Sequence, residues 1–175
     1  MENRGNFVKG RAIFALVFVV CAGLLGVAFY MEHVMGLEPC PLCWLQRFGF
    51  MGVGLVSFVA ALHGPGQLGL RLYGLLLAVT AGAGLGMAGR QLWLQSLPAD
   101  QVPACGPSVD YMLEVLPLGE VLSTALKGTG DCAAVVWRFL GLSIPGWTAV
   151  FFALLVVVGL GMLFHRGKPK GWIPG

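Results

Sequence analysis

The sequence predicts an all-α membrane protein, a bundle of four transmembrane helices with a long outer loop that contains a short amphipathic helix. Only 11% of its 175 residues are charged and 57% are hydrophobic, whereas soluble domains carry about 25% charged residues. Four apolar runs are each long enough to cross a bilayer as a helix. They cover about residues 12–31, 41–62, 70–94 and 147–164. Because these helices and their loops use most of the chain, we expect a single integral membrane domain over residues 1–175.

The first apolar run could instead belong to a cleaved signal peptide, since Arg4, Lys9 and Arg11 form a basic flank before it. Its apolar part is, however, about twice as long as an ordinary signal-peptide core. No clear A-x-A cleavage site stands before a polar segment. We therefore expect this run to be retained as the first helix.

The segments between the helices differ in length. A short outer loop, about residues 32–40, ends at a C-x-x-C motif, and the breaker sequence HGPGQLG makes the turn after the second helix. A long outer segment, about residues 95–143, precedes the fourth helix. Within it, apolar residues are interleaved with acidic ones, which is typical of a segment on a membrane surface. Because Pro117 must interrupt a helix there, we expect a short helix at about 118–127.

Charge is distributed unevenly among these segments. The two termini and the turn after the second helix hold seven of the eleven basic residues and only one acid. These basic residues are Arg4, Lys9, Arg11, Arg71, Arg166, Lys168 and Lys170. The positive-inside rule therefore places both termini and this turn in the cytoplasm. The net charge of +3 reflects that orientation, since the sequence has no basic and aromatic stripe of the kind that binds nucleic acids.

Four of the five cysteines fall on the outer side of the membrane in this topology, namely Cys40, Cys43, Cys105 and Cys132. Cysteines in an oxidising compartment are expected to pair. Among the three possible connectivities, proximity favours Cys40–Cys43 and Cys105–Cys132. Cys21 lies within the first helix, where we expect it to be a small apolar residue.

Three kinds of site would use four such cysteines. Two static disulfides suit the second pair, but closing the short C-x-x-C loop would constrain the unfolded chain little. A tetrahedral zinc site needs free thiolates, which an oxidising compartment disfavours. A redox-active dithiol explains the C-x-x-C motif best, with static disulfides and zinc as the alternatives.

The residues around the C-x-x-C motif favour redox chemistry. Pro41 suits the first turn of a helix, which places Cys40 at the cap and Cys43 within the first turn. The helix dipole stabilises a thiolate there. Arg47 follows one turn after Cys43 on the same face. A cation this close to lipid needs an anionic or strongly polar partner, unless its side chain snorkels to the interface.

Two dithiols at a bilayer surface imply an electron acceptor. The sequence has no haem-attachment motif and no iron–sulfur spacing. Its G-x-G-x-x-G over residues 84–89 lies inside an apolar run, where small residues serve helix packing. A membrane quinone needs only an apolar cleft with a few polar groups. Arg47, Gln91 and Gln95 could supply these groups, although both glutamines could equally be ordinary interfacial residues.

These features resemble the DsbB family of bacterial disulfide-bond formation proteins, which are quinone-linked thiol oxidases. The resemblance runs from about residue 30 to 147. It rests on HVMGLEPCPLCWLQR, on the WLQ of Trp93–Gln95 leading to Pro98, on Cys105, and on GDC followed by WRFLGLSIPGW. It implies a multi-pass protein of the bacterial inner membrane with both cysteine pairs in the periplasm. It further implies a DsbA-like thioredoxin-fold partner and ubiquinone or menaquinone as cofactor.

The resemblance also implies an order of events that the spacing leaves open. A reduced DsbA-type oxidase would attack the Cys105–Cys132 disulfide and form a mixed disulfide at Cys105. Cys132 would then attack Cys40 and release Cys43. That thiolate, helped by Arg47, would pass electrons to ubiquinone. The long outer segment would carry the second pair to the first.

Two departures and two alternative functions accompany the resemblance. Some members have a histidine near the outer end of helix 3, where this chain has Gln91, and some have an acidic residue where it has Gln46. A quinone oxidoreductase resembling vitamin K epoxide reductase is one alternative, although its C-x-x-C lies late in the bundle. The other is a non-catalytic tetraspan protein stapled by disulfides.

Overall fold

The computed structural model describes residues 2–107 and 109–164, in which four long helices form a bundle. They are α1 (Glu2–His33), α2 (Pro41–His63), α3 (Gln67–Gln95) and α6 (Ile144–Leu163). Each contains a span that is long and apolar enough to cross a membrane. The predicted class of an all-α membrane bundle is therefore confirmed. The basic residues of the C-terminal tail, which contributed to the predicted orientation, lie outside the described residues.

The local sequence explains where α2 begins and ends. Cys40 is the N-cap residue in an extended conformation, and Pro41 follows in the first turn, where its missing N–H needs no partner. Gly64 ends the helix with a φ of 58°, a left-handed conformation that favours glycine. The end of the bundle at which α2 begins, α3 ends and α6 begins is called the cysteine end below.

Small residues bring α3 and α6 into close contact. A Cβ on Gly159 would lie 2.7 Å from the carbonyl oxygen of Gly74, so a side chain does not fit at this crossing. Elsewhere on α3, Gly84 packs against the ring of Phe152, which stacks on Phe50 with 4.1 Å between the ring centroids. Gly84, the first glycine of the G-x-G-x-x-G sequence, therefore allows α2, α3 and α6 to pack closely. The sequence also predicted close packing at Gly82 and Gly86, but nothing lies within 4 Å of a Cβ at either position.

The long outer segment folds into short elements. In chain order they are α4 (Val109–Val115), α5 (Leu118–Lys127), a 3₁₀ turn (Gly130–Cys132) and the antiparallel strands β1 (Arg138–Phe139) and β2 (Leu142–Ser143). Pro117 separates the two helices and is the N-cap residue of α5. The predicted short helix at about 118–127 occupies the residues of α5. Neither α4 nor the hairpin was predicted from the sequence, since elements this short show no reliable periodicity.

The chain just before the 3₁₀ turn docks on the cysteine end of the bundle. Gly128 has a φ of 79°, and a Cβ at this position would lie 2.4 Å from Leu94 and 3.0 Å from Leu42. Next to it, Nη2 of Arg90 donates a hydrogen bond to the carbonyl of Lys127 at 3.0 Å. Glycine is thus needed both for the backbone conformation and for the close approach. This docking places the 3₁₀ turn over the start of α2 and the end of α3.

Candidate functional site

Cys40 and Cys43 form the centre of the site, in the first turn of α2. Their sulfur atoms lie 2.7 Å apart, and the backbone N–H of Cys43 donates to Sγ of Cys40 at 3.3 Å. Cys40 is buried and Cys43 is partly buried. The N-terminus of a helix carries a partial positive charge that favours a thiolate. The two sulfurs are therefore placed to form a disulfide with each other and to exchange that bond with a third sulfur.

Cys132 is that third sulfur. Its side chain is fully buried in a cluster with Cys40, Leu42 and Leu94. A hydrogen bond from the Cys40 thiol lowers the pKa of Cys132 to about 6, and backbone N–H groups and the Thr129 hydroxyl add to this effect while burial opposes it. The same hydrogen bond raises the pKa of Cys40. At neutral pH, Cys132 is therefore the thiolate of this contact and Cys40 is the thiol.

Cys105 has the opposite environment. It is exposed in the loop between α3 and α4, and a backbone hydrogen bond from the N–H of Gly130 to the carbonyl of Ala104, 3.1 Å long, ties this loop to the 3₁₀ turn. A hydrogen bond to Asp131 and the negative charge of that carboxylate raise the pKa of Cys105. The structure thus brings all four predicted cysteines to one end of the bundle, with Cys132 in contact with the first pair. All of them are free thiols here, so the Cys40–Cys43 and Cys105–Cys132 disulfides both stay predictions.

Arg47 lies one turn further along α2 and faces α1. Its guanidinium forms a salt bridge with Glu32 and donates to the carbonyl of Ala28 at 3.1 Å. It also lies over the rings of Phe29 and Trp44, at 5.1 and 5.3 Å from their centroids, within the range of cation–π attraction. Arg47 is only 8% exposed, so it is held by partners and does not snorkel. Sequence reasoning required an anionic partner but missed Glu32, the acidic residue at the end of the first apolar run.

An apolar cavity of about 320 Å³ lies between α1, α2, α6 and the hairpin. Its walls are mainly aliphatic and aromatic, with Leu24, Val27, Phe50, Trp147 and Phe151 among them. Its polar lining includes Cys43, Gln46, Arg47 and Thr148. An apolar pocket of this size with a few convergent polar groups is typical of a small-molecule site. A ligand in the cavity would meet the dithiol and the arginine together.

Gln91 and Gln95, which the sequence analysis proposed as quinone ligands, do not line this cavity. Gln91 is 3% exposed, and its Nε2 donates to Sγ of Cys40 and Sγ of Cys43. Gln95 accepts a hydrogen bond from the Ser143 hydroxyl at 2.8 Å, which anchors the start of α6. The two glutamines do not reach the cavity because of the order in which the helices pack. Helix α1 packs on α2 and α2 packs on α3, so α2 separates both glutamines from the cavity. The polar groups that do line it on the neighbouring helices, Gln46 and Thr148, were missed.

A buried thiolate against a C-x-x-C dithiol, beside an apolar cavity with a fixed cation, defines a membrane-embedded thiol oxidoreductase. Residues 10–162 match the family model described as disulfide bond formation protein DsbB, and the chain belongs to that family. It is thus a disulfide-forming, quinone-linked oxidoreductase of the inner membrane. Family membership decides against the non-catalytic tetraspan and the vitamin K epoxide reductase-like alternatives.

Similar proteins from three bacteria carry the name disulfide bond formation protein B. The relative in Marinobacter nauticus is 79% identical over 166 residues, which are 95% of this chain and 99% of the relative. The relative in Hahella chejuensis is 57% identical over 146 residues, 83% of this chain and 88% of the relative. The relative in Chromobacterium violaceum is 50% identical over 164 residues, 94% of this chain and 99% of the relative. The similarity therefore extends over nearly the whole chain.

Proposed function

We propose that this protein reoxidises a reduced periplasmic thioredoxin-fold oxidase of the DsbA type and passes the electrons to ubiquinone or menaquinone. One observation carries the proposal: Cys132 is buried against Cys40, whereas Cys105 is exposed. The second pair can therefore offer one sulfur to a soluble protein and the other to the membrane dithiol.

The first exchange is directed by the unequal pKa values of the second pair. With Cys105 and Cys132 joined, the partner's thiolate attacks Sγ of Cys105, a new S–S bond forms there, and the electron pair of the broken bond goes to Cys132. The thiol of lower pKa is the better leaving group. In this state Cys40 is bonded to Cys43 and has no S–H to donate, but backbone N–H groups and the Thr129 hydroxyl still lower the pKa of Cys132, whereas Asp131 raises the pKa of Cys105. Access and leaving-group ability therefore both favour attack at Cys105.

The second exchange takes place inside the buried cluster. The Cys132 thiolate attacks Sγ of Cys40, the Cys40–Cys132 bond forms, and the electron pair of the Cys40–Cys43 bond goes to Cys43. Attack on Cys40 is favoured over attack on Cys43 because the Cys132 sulfur lies in hydrogen-bond contact with Cys40, within the same buried cluster. Cys43 is thus the sulfur that is released, and it borders the cavity.

Two further exchanges close the cycle. The second thiol of the partner attacks the mixed disulfide and leaves the partner oxidised. The freed Cys105 thiolate then attacks Cys132, which restores the second disulfide and leaves Cys40 and Cys43 reduced. A bound quinone supplies the net oxidation by accepting two electrons and two protons from this dithiol. Each turnover converts one partner dithiol into a disulfide and one quinone into a quinol.

The cavity is suited to a quinone head group. It is apolar, has a volume of about 320 Å³, and is bordered by Cys43 and Arg47. Arg47 uses one N–H on Glu32 and one on the Ala28 carbonyl, so donors among its five N–H groups are left for a ring oxygen. Its charge would also stabilise negative charge that develops near Cys43. Trp147 adds a flat apolar wall.

The proposed orientation places both termini in the cytoplasm and both cysteine pairs in the periplasm. The reactive cysteines lie at the cysteine end of the bundle, whereas Arg71, in the first turns of α3, and Arg11, which binds the carbonyl of Ala61, lie toward the other end. This distribution agrees with the positive-inside rule. A membrane-impermeant maleimide added to spheroplasts should label the reduced Cys105 from outside, and labelling only after lysis would contradict this orientation.

The thiol exchange is tested by trapping its first intermediate. The wild type, reconstituted in lipid nanodiscs with a reduced DsbA-type oxidase that keeps only its attacking cysteine, should accumulate a mixed disulfide through Cys105. The partner's thiolate attacks the Cys105–Cys132 disulfide, and no second partner thiol is present to resolve the new bond. Cys105→Ala with the same partner is the control and should form no adduct, and Cys132→Ala should not reduce quinone with the complete partner. Absence of an adduct together with absence of quinone reduction by the wild type would contradict the proposed function.

The quinone site is tested by steady-state kinetics with ubiquinone. Arg47→Ala should raise the quinone KM by about tenfold or more, because a charge-assisted hydrogen bond is lost, and Cys43→Ser should abolish reduction. Removing Arg47 alone leaves Glu32 without its partner, so Arg47→Ala with Glu32→Gln checks that misfolding is not the cause. Arg71→Ala is the matched control, since this arginine lies in the first turns of α3 and does not line the cavity. An unchanged KM in both Arg47 variants would exclude the arginine from the quinone site.

A further inference from the structure

The side-chain amide of Gln91 contacts both redox pairs. Its Nε2 lies 3.3 Å from Sγ of Cys40, 3.4 Å from Sγ of Cys43 and 3.5 Å from the carbonyl oxygen of Cys132. Gln91 is 3% exposed, so water does not compete strongly for these contacts. None of the thiol–disulfide exchanges of the proposed function uses the Gln91 amide.

The amide has fewer donors than acceptors around it. A glutamine amide has two N–H groups, so the nitrogen of Gln91 can donate to only two of its three neighbours at once. Hydrogen bonds to an ionised acceptor are roughly twice as strong as those to a neutral one. The amide therefore binds most strongly to whichever sulfur carries the negative charge.

Polar side chains on two neighbouring helices hold the amide in this orientation. Gln46, itself 4% exposed, donates from Nε2 to Oε1 of Gln91 at 2.6 Å. Oε1 of Gln46 accepts a hydrogen bond from the hydroxyl of Thr148. The oxygen of Gln91 accepts the first of these hydrogen bonds and one from the Cys43 thiol at 3.7 Å, and its nitrogen faces the sulfurs of Cys40 and Cys43. The chain of contacts links α3, α2 and α6, so three helices fix the position of one amide.

We propose that Gln91 is a catalytic residue of the disulfide exchange, whose amide stabilises the Cys43 thiolate displaced when Cys132 attacks Cys40. In this step the Cys40–Cys132 bond forms, the Cys40–Cys43 bond breaks, and the electron pair goes to Sγ of Cys43. The amide keeps its protons and moves its hydrogen bonding toward the new anion. The inference rests on the proposed function, because it assigns Gln91 to one of its steps. It places Gln91 at the sulfurs and not at the quinone.

Gln91→Met tests this assignment, since methionine has a similar length but no N–H donor. Quinone reduction driven by a reduced DsbA-type oxidase is measured in lipid nanodiscs as a function of pH. We expect kcat to fall about tenfold at pH 7, as for the loss of a hydrogen bond to a charged group. The loss should persist at every pH at which Cys132 is ionised, because Cys43 departs as a thiolate whatever the pH and the amide acts on that departing sulfur. The KM for ubiquinone should not change.

Gln95→Met is the matched control, because it removes the same group one turn further along α3, where the partner is Ser143 and not a sulfur. Its pH profile should match that of the wild type. Gln91→Asn keeps an amide on a shorter side chain, should recover part of the rate, and replaces the methionine variant if that variant does not fold.

Three results would overturn the inference. One is a pH profile of Gln91→Met that has the shape and height of the wild-type profile. Another is a raised quinone KM with an unchanged kcat, which would assign Gln91 to the quinone instead. The third is a wild-type protein that does not reduce quinone at all, which would also overturn the proposed function and is thereby distinguished from the other two.

Discussion

Cys132 and Cys105 are the two halves of one proposed disulfide, yet their surroundings are opposite. Cys132 is fully buried, is hydrogen-bonded by Cys40, and has a pKa of about 6. Cys105 is exposed beside the Asp131 carboxylate, which raises its pKa. The difference shows how a single pair can face two partners: the exposed sulfur is attacked, and the buried one leaves and attacks in turn.

The two environments have different structural origins. Cys132 owes its position to the close docking of the chain at Gly128 on Leu42 and Leu94. Cys105 lies in an irregular loop, which one backbone hydrogen bond ties to the 3₁₀ turn. A rigid support therefore sets the chemistry of one sulfur, and proximity to a single carboxylate sets that of the other.

The largest expected effect comes from breaking the buried environment of Cys132. Gly128→Ala places a methyl group against Leu94 and strains a left-handed backbone, which should cost about 2 kcal/mol of docking free energy. The population with an undocked, reactive Cys132 should then rise about thirtyfold. The measurement is the rate at which iodoacetamide alkylates Cys132 in the reduced protein, followed by mass spectrometry.

Gly119→Ala is the control for this variant, because nothing lies within 4 Å of a Cβ at Gly119 on α5. It should leave the alkylation of Cys132 unchanged. Equal rates in Gly128→Ala and in the wild type would show that Gly128 does not hold the thiol in place.

A second expected effect is that Cys132 and Cys105 ionise, and therefore react, at different pH. The pKa of Cys132 is lowered to about 6, so its thiolate is present above that pH and is lost as the pH falls below it. Alkylation of Cys132 in the fully reduced protein, where the Cys40 thiol is present, should therefore decline below pH 6, by about tenfold for each further pH unit. Alkylation of Cys105 should instead increase only at alkaline pH, because its pKa is raised. If the Cys132 and Cys105 measurements gave pH profiles of the same shape, the two thiols would not differ in pKa as described.

The smallest expected effect concerns the exposed side. Asp131→Asn removes the negative charge beside Cys105, so the pKa of that thiol should move down toward its ordinary value. Alkylation of Cys105 at pH 8 should become about threefold faster, a modest change because surface charges are screened by solvent. Asp100→Asn, another acid of the outer segment, should have no effect. An alkylation rate unchanged by Asp131→Asn would show that this carboxylate does not raise the pKa of Cys105.

The sequence was sufficient to predict the class of fold and the short helix after Pro117. Both follow from local properties: long apolar runs cross membranes, and proline interrupts helices. It was not sufficient to place Gln91 and Gln95. A helix such as α3, apolar on most of its surface, has no periodic pattern to show which face meets which neighbour.

The sequence by itself determined that a C-x-x-C pair with Pro41 opens a membrane helix, because capping and hydrophobicity act over a few neighbouring residues. Only the tertiary structure decided that Cys132 meets Cys40, that Arg47 meets Glu32, and that Gln91 binds sulfur. Those contacts join residues 15 to 92 positions apart. They depend on how each helix is rotated and on how closely the outer segment docks, and no local pattern specifies either.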